Sequence, residues 1–150
     1  MKSNLNFNTY QSPFSWRYGS DEMRQIFSEV NKRKLWRKVW VALADAQKKA
    51  GLLTQKELAD IKINSTKIDI THAMAIEKEI YHDLMAELKV FAAQVGRAGG
   101  KIHLGATSMD IVDNADMVRI QEALKIIEKK VVVILNLLAD KIEEHADFPC

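Results

Sequence analysis

From Ser108 to Ala146 the chain contains neither proline nor glycine. Within that stretch Met117, Ile120, Leu124, Ile127, Val131, Ile134 and Leu138 recur at alternating steps of three and four residues. This is the seam of a long helix made to pack along other long helices. Val132, Val133, Leu135 and Leu137 add apolar surface beside the seam, so the middle of the helix needs cover on more than one side. At 1.5 Å per residue the stretch spans roughly 58 Å, whereas a compact domain of this size has a radius of gyration of about 15 Å. The remaining residues cannot wrap such a rod. The pattern therefore predicts self-association through this helix, membership of a longer protein, or both, because an uncovered seam is an aggregation hazard.

The rest of the chain reads as helical too. Its two prolines, Pro13 and Pro149, lie near the ends, no alternating strand pattern persists, and no repeat or low-complexity tract is present. Met1 to Gly19 looks irregular. A short helix is expected over Ser20–Phe27, with Asp21 and Glu22 favoured by the dipole of its first turn. The next carries Trp36, Val39, Trp40, Leu43, Ala46 and Ala50 at helical spacing and stops at Gly51. Thr54 caps a third, running to about Ile63. After the polar break at Asn64, Ser65 and Thr66, helical patterning resumes near Asp69 and runs to about Val95, with a kink near His82. Gly96, Gly99 and Gly100 make a turn region before the long helix.

Several function classes fall away on composition. A formal charge of only +2 does not make the broad basic face of a nucleic-acid binder. No run of about 18 apolar residues exists, so no membrane span is expected; the run Val131–Leu138 is short and interrupted by Asn136. The opening residues MKSNLNFNTYQSPF hold no apolar core of a secretory signal. The single cysteine, Cys150, cannot form an internal disulfide and fits a reducing compartment. Cytoplasmic residence is the expectation. His72, His82, His103 and His145 show no spacing that pairs them as metal ligands, so neither a metal nor a cofactor is expected.

The chemistry-bearing segment is HLGATSMDIVDNA, His103 to Ala115, at the start of the long helix. Thr107 or Ser108 is its natural N-cap. A helix start presents unpaired N–H groups and partial positive charge, suited to carboxylates and phosphates. Gly105 and Ala106 let backbone come close to a ligand, two hydroxyls add donors, and His103 can donate or titrate. The residues alone leave a plainer alternative open, since Thr107 followed by Asp110 is near a capping box.

That segment resembles the first signature block of the fumarase and aspartase superfamily, and its GATS-x-D-I-x-D core is similar to that of the adenylosuccinate lyases. Carboxymuconate cycloisomerases share a GATS-x-D block. Two further segments fit the adenylosuccinate lyases: SWRYGS, Ser15 to Ser20, resembles their Arg-Tyr block, and EKEIYHDLMA, Glu77 to Ala86, resembles their His-Asp block. All three occur in the family's order, and the resemblance covers essentially the whole chain. It implies an all-α fold, with residues 1–107 as the N-terminal helical domain and 108–150 as the first long helix of a central bundle. It also implies a role for each matched residue. Arg17 and Tyr18 would hold a nucleotide phosphate, which suits a planar guanidinium and a phenol. Tyr81, His82 and Asp83 would line the nucleotide site, although Tyr81 stands where the family often has Arg or another polar residue. Thr107 and Ser108 would bind a carboxylate of the succinyl or fumarate moiety, with His103 nearby. Asp110 and Asp113 would organise the loop rather than touch an anion, since like charges repel.

The implied reaction is β-elimination of fumarate from adenylosuccinate to give AMP, and from succinylaminoimidazole carboxamide ribotide, in purine biosynthesis. The family's acid, in a Thr-His-x-Gln block, and its base, a Ser on a Gly- and Ser-rich loop, are absent: Thr71-His72 continues with Ala73 and Met74. No catalytic residue is thus expected in this segment, and the chain alone is expected to be inactive. The implied assembly is a homotetramer in which three subunits share each site. Another superfamily lyase, a cycloisomerase or a helical oligomerisation module are the competing readings.

Overall fold

The computed structural model describes Asn8 and residues 10–149. Cys150 and most of the first nine residues lie outside that range. Every regular element among the described residues is helical: α1 (Asp21–Ile26), α2 (Glu29–Lys49), α3 (Gln55–Asn64), α4 (Ile70–Ile80), α5 (Asp83–Val95) and α6 (Ser108–Glu144). A π-helical turn, Phe14–Tyr18, precedes them, and a 3₁₀ turn, Gly96–Lys101, links α5 to the loop before α6.

Local chemistry explains most boundaries. Ser20 and Ser28 accept from Met23 N and Asn31 N and open α1 and α2. Thr54 and Glu57 form a reciprocal capping box at α3. Gly51 (φ +77°) takes the left-handed conformation that ends α2. Two expectations change. Part of the stretch read as irregular winds into the Phe14–Tyr18 turn, entered from Pro13 at φ −61°, which already has a helical φ. The kink near His82 is a complete break: Tyr81 sits at φ 54°, ψ 36°, and His82 starts a new helix.

The core lies where α2 crosses the other helices. Trp36, Trp40 and Ala44 of α2 pack with Ile61 of α3, Leu84 and Phe91 of α5, and Ile111 and Ala115 of α6, all essentially inaccessible. The Trp40 and Phe91 rings are 6.0 Å apart, and burying such side chains supplies several kcal/mol each, about 3–5 by truncation. Only the first part of α6 joins this core, through Ile111 and Ala115, while Ala123 is buried further along the helix. From Ile127 onward every described residue is exposed. The seam residues Met117 to Leu138 are 44–63% exposed, so the apolar stripe faces away from the chain's own core.

Candidate functional site

The loop from Ile102 to Thr107 is held in place by two helices. Ile102 anchors it in the core. On α2, Trp40, Ala44 and Gln47 fall at helical spacing on one face. Gln47 Nε2 donates to the carbonyls of Lys101 (3.2 Å) and Leu104 (2.8 Å). Trp40 Nε1 donates to Nδ1 of His103 at 3.1 Å, with the two rings edge to face. From α3, Glu57 pairs with Lys101 Nζ at 2.8 Å, and that ammonium also reaches the Leu52 carbonyl at 3.2 Å. Gly105 (φ +79°) then turns the backbone toward α6 where an L-residue would be strained.

Electrostatics at the helix start are set by burial and by Thr107. Burial pushes the His103 pKa down, and the nearby Asp110 charge opposes that. The Asp110 carboxylate accepts from Thr107 N (2.7 Å) and from Thr107 Oγ1 (3.1 Å). These two bonds hold it below the usual carboxylate range. Asp110 thus organises the loop, and the Thr107 hydroxyl proton is directed at Asp110. Ser108, half-buried, has no such partner and stands beside the N–H groups that a first helical turn leaves without intrahelical acceptors.

The other expected residues sit in two separate places. Arg17 and Tyr18 are exposed on the π-helical turn; the Arg17 guanidinium lies 4.6 Å from the Trp16 ring centre, and the Tyr18 ring 6.2 Å from that of Phe14. Tyr81 is 90% exposed and lines a groove with Met74, Glu77 and Lys78. His82 Nδ1 accepts from Met85 N at 3.4 Å, capping α5. Asp83 accepts from Leu84 N and lies 3.7 Å from Lys32 Nζ. Both side chains remain nearly half exposed. Among the described residues, no hydrogen bond, ion pair or ring contact joins these three groups to one another. They are three open surfaces, each able to meet an anion or a base, and no one of them encloses a ligand. His72 and His145 are exposed. No group of three or more metal-ligating side chains is assembled among the described residues.

Sequence reasoning missed a buried charge cluster beneath the site. Glu87 accepts from Arg37 Nε at 2.7 Å and from Arg33 Nη1 at 3.1 Å, and all three are at most 1% exposed. Arg37 Nη1 also donates to the carbonyls of Asn64 and Lys67 and to Gln94 Oε1. Desolvation lowers the Arg37 pKa while Glu87 raises it. The available signal was positional: Arg33 and Arg37 alternate with Trp36 and Trp40 on the face of α2 that must be buried.

Comparison with known proteins covers nearly the whole chain. It is 39% identical over 147 residues to the adenylosuccinate lyase of Saccharomyces cerevisiae, covering 95% of this chain and 30% of that protein. It is 41% identical over 141 residues to the adenylosuccinate lyase of Methanocaldococcus jannaschii, with 92% and 30% covered. A fumarate lyase from Mesorhizobium sp. BNC1 superposes with a TM-score of 0.75 at 25% identity, over 88% of this chain and 31% of that one. No family model matches. The chain spans about 30% of the length of the curated relatives it matches.

Proposed function

We propose that this chain, a homologue of adenylosuccinate lyases over most of its length, supplies one wall of an active site that eliminates fumarate from adenylosuccinate to give AMP, and from succinylaminoimidazole carboxamide ribotide. The observation that carries this reading is the pinned His103–Ser108 loop at the start of α6, inside the segment that matches those lyases. In such an elimination a base takes the proton from the carbon beside a carboxylate, and an acid protonates the departing purine nitrogen. Negative charge grows on the carboxylate, and preorganised donors lower the barrier. Here Ser108, His103 and the first N–H groups of α6 are those donors. Thr107, whose backbone N–H is held by Asp110, shares the role through its hydroxyl once that turns from the same carboxylate. Arg17 and Tyr18 take the nucleotide phosphate, and Tyr81, His82 and Asp83 border the nucleotide.

The Thr-His-x-Gln and Gly/Ser-loop blocks that bear acid and base in such lyases do not occur in these 150 residues, so the reading makes the chain inactive by itself. Residues 1–107 act as a helical substrate-binding domain and 108–150 as the beginning of a central bundle. The exposed α6 seam supports a homotetramer, in which the three open groups are completed by other subunits. The setting proposed is the cytoplasm; among the described residues no helix is long and apolar enough to cross a membrane. The test has two arms. Full-length protein should release fumarate from adenylosuccinate, and the 150-residue chain should not; release by the chain alone overturns the assignment of roles. In sedimentation the chain should self-associate at micromolar concentration, and a monomer there counts against the seam.

A further inference from the structure

We infer that Trp40 is a positioning residue that fixes His103 as its Nε2–H tautomer, so that the imidazole meets the substrate carboxylate as a neutral donor. The inference deepens the anion-holding reading of the loop and rests on it. An indole N–H can only donate, so the ring nitrogen it faces must present a lone pair. Trp40 Nε1 faces Nδ1 of His103 at 3.1 Å. The neutral ring therefore carries its proton on Nε2, and that nitrogen has no hydrogen bond among the described residues.

The donor cannot turn aside. Trp40 is completely buried, packed against Phe91 on one side and edge-on to the imidazole on the other. The acceptor is held too, because Gln47 ties the backbone on both flanks of His103, at Lys101 and Leu104. Flipping the imidazole would set a C–H against the indole and orphan a buried donor. Trp36 makes the contrast: it is equally buried on the same helix face, and its indole nitrogen has no partner. Of the two tryptophans on α2, the one beneath the loop has a partner. The charged groups around the ring are few. Asp110 faces it from α6, and Lys101 is turned toward Glu57. Burial outweighs Asp110 and favours the neutral ring. A neutral donor suits an elimination, because its bond strengthens as charge accumulates on the carboxylate instead of gripping the ground-state anion.

Long-range proton–nitrogen NMR of the histidine-labelled chain reads the tautomer directly. At neutral pH His103 should show an unprotonated Nδ1 and a protonated Nε2. Trp40→Phe should mix the tautomers and raise the His103 pKa, since the lost bond favoured the unprotonated nitrogen. A wild-type His103 protonated at Nδ1 overturns the inference even if the variant does not fold, and so does an unchanged spectrum in a folded variant. In the full-length lyase proposed above, Trp40→Phe should lower kcat/KM roughly tenfold and move its acid limb to higher pH. An active enzyme with an unmoved profile removes the positioning role and leaves the lyase reading standing. An inactive wild-type enzyme removes the lyase reading and the carboxylate-facing role with it, while the spectrum still judges the Trp40–His103 bond.

Discussion

Replacing Glu87 should destabilise the fold more than any surface ion-pair change. Glu87 is the only acid among the three charges of the Arg33–Glu87–Arg37 cluster, and all three are at most 1% exposed. Glu87→Ala leaves the fully buried Arg37 without its carboxylate, and Arg33 with only the more distant, partly exposed Glu77 and Glu29 at 3.5 and 3.9 Å. Breaking such a buried pair costs about 3–5 kcal/mol, mostly the penalty of uncompensated charge, against a total stability of about 5–15 kcal/mol. With a urea m-value of about 2 kcal/mol per molar, the unfolding midpoint should fall by roughly 1.5–2.5 M at fixed protein concentration. The Asp45–Lys62 pair is a matched control. Its separation is the same 2.7 Å as Arg37–Glu87, but its side chains are 42% and 47% exposed. Asp45→Ala should cost no more than about 1 kcal/mol and move the midpoint by less than roughly 0.5 M. Burial is the main difference between the two cases, together with the second arginine that Glu87 serves. The triple replacement Arg33→Met, Arg37→Met, Glu87→Leu should recover most of the loss, because apolar groups of similar volume need no counter-charge. If Glu87→Ala shifts the midpoint no further than Asp45→Ala does, the cluster is not holding α2 to α5 and the reasoning fails.

Three further outcomes follow from single residues. Glu57 is held at about 2 by Lys101, with Thr54 adding to it. Its contribution is complete above the unfolded value, near 4.5, and is lost as pH falls through about 2. Denaturation midpoints measured between pH 5 and 2 should therefore drop more steeply in wild type than in Glu57→Gln, and parallel curves would refute it. Tyr81 is a left-handed L-residue with an exposed side chain, so Tyr81→Gly should stabilise by about 0.5–1 kcal/mol after glycine's entropy is counted; a lower Tm contradicts this. Gly99→Ala would put a Cβ 2.3 Å from the Ala92 carbonyl oxygen, whereas one at Gly100 meets nothing within 4 Å. Thermal melts should show the first costing about 1–3 kcal/mol and the second little, and equal melts would exclude the close approach of α5.

What was legible in the chain and what was not divides along the range of the interaction. Ser20, Gly51 and the Thr54–Glu57 pair mark helix ends because the bonds that end or start a helix are made within a few residues. The break at Tyr81 escaped that logic. No glycine or proline stands there; the left-handed turn is imposed by α4 and α5 packing beside each other, with His82 supplying the cap from its ring nitrogen. Nothing local marks Arg33, Arg37 or Glu87 for burial, since most charged side chains stay at the surface. Only the fold brings Glu87 to the two arginines, 54 and 50 positions away in the chain. The candidate site shows the same division. The loop motif was readable, but its attachment to Trp40 and Gln47 spans 54 to 63 positions and depends on which face of α2 turns inward.

The two halves of α6 would connect that site to the assembly proposed above. The first turns of α6 carry Ser108 and are anchored by Ile111 and Ala115 in the chain's own core, so under the proposed function the anion-facing end is positioned by this chain alone. The later turns present Val131, Ile134 and Leu138 about half exposed, outside the apolar core of the described residues. A helix rigid at one end and apolar along the other sets the register of whatever packs on it, because knobs fit holes at fixed steps. Displacing that register by one helical turn would move a partner by about 5.4 Å, far more than the few tenths of an ångström that a hydrogen-bonded carboxylate tolerates. Under the proposed function the seam and the loop would therefore act as one device. Substitutions such as Ile134→Lys, more than 25 positions from Ser108, should abolish self-association of the chain in sedimentation and fumarate release by the full-length protein together. Loss of assembly with retained activity would show that the wall formed by His103 and Ser108 is sufficient without a neighbouring chain.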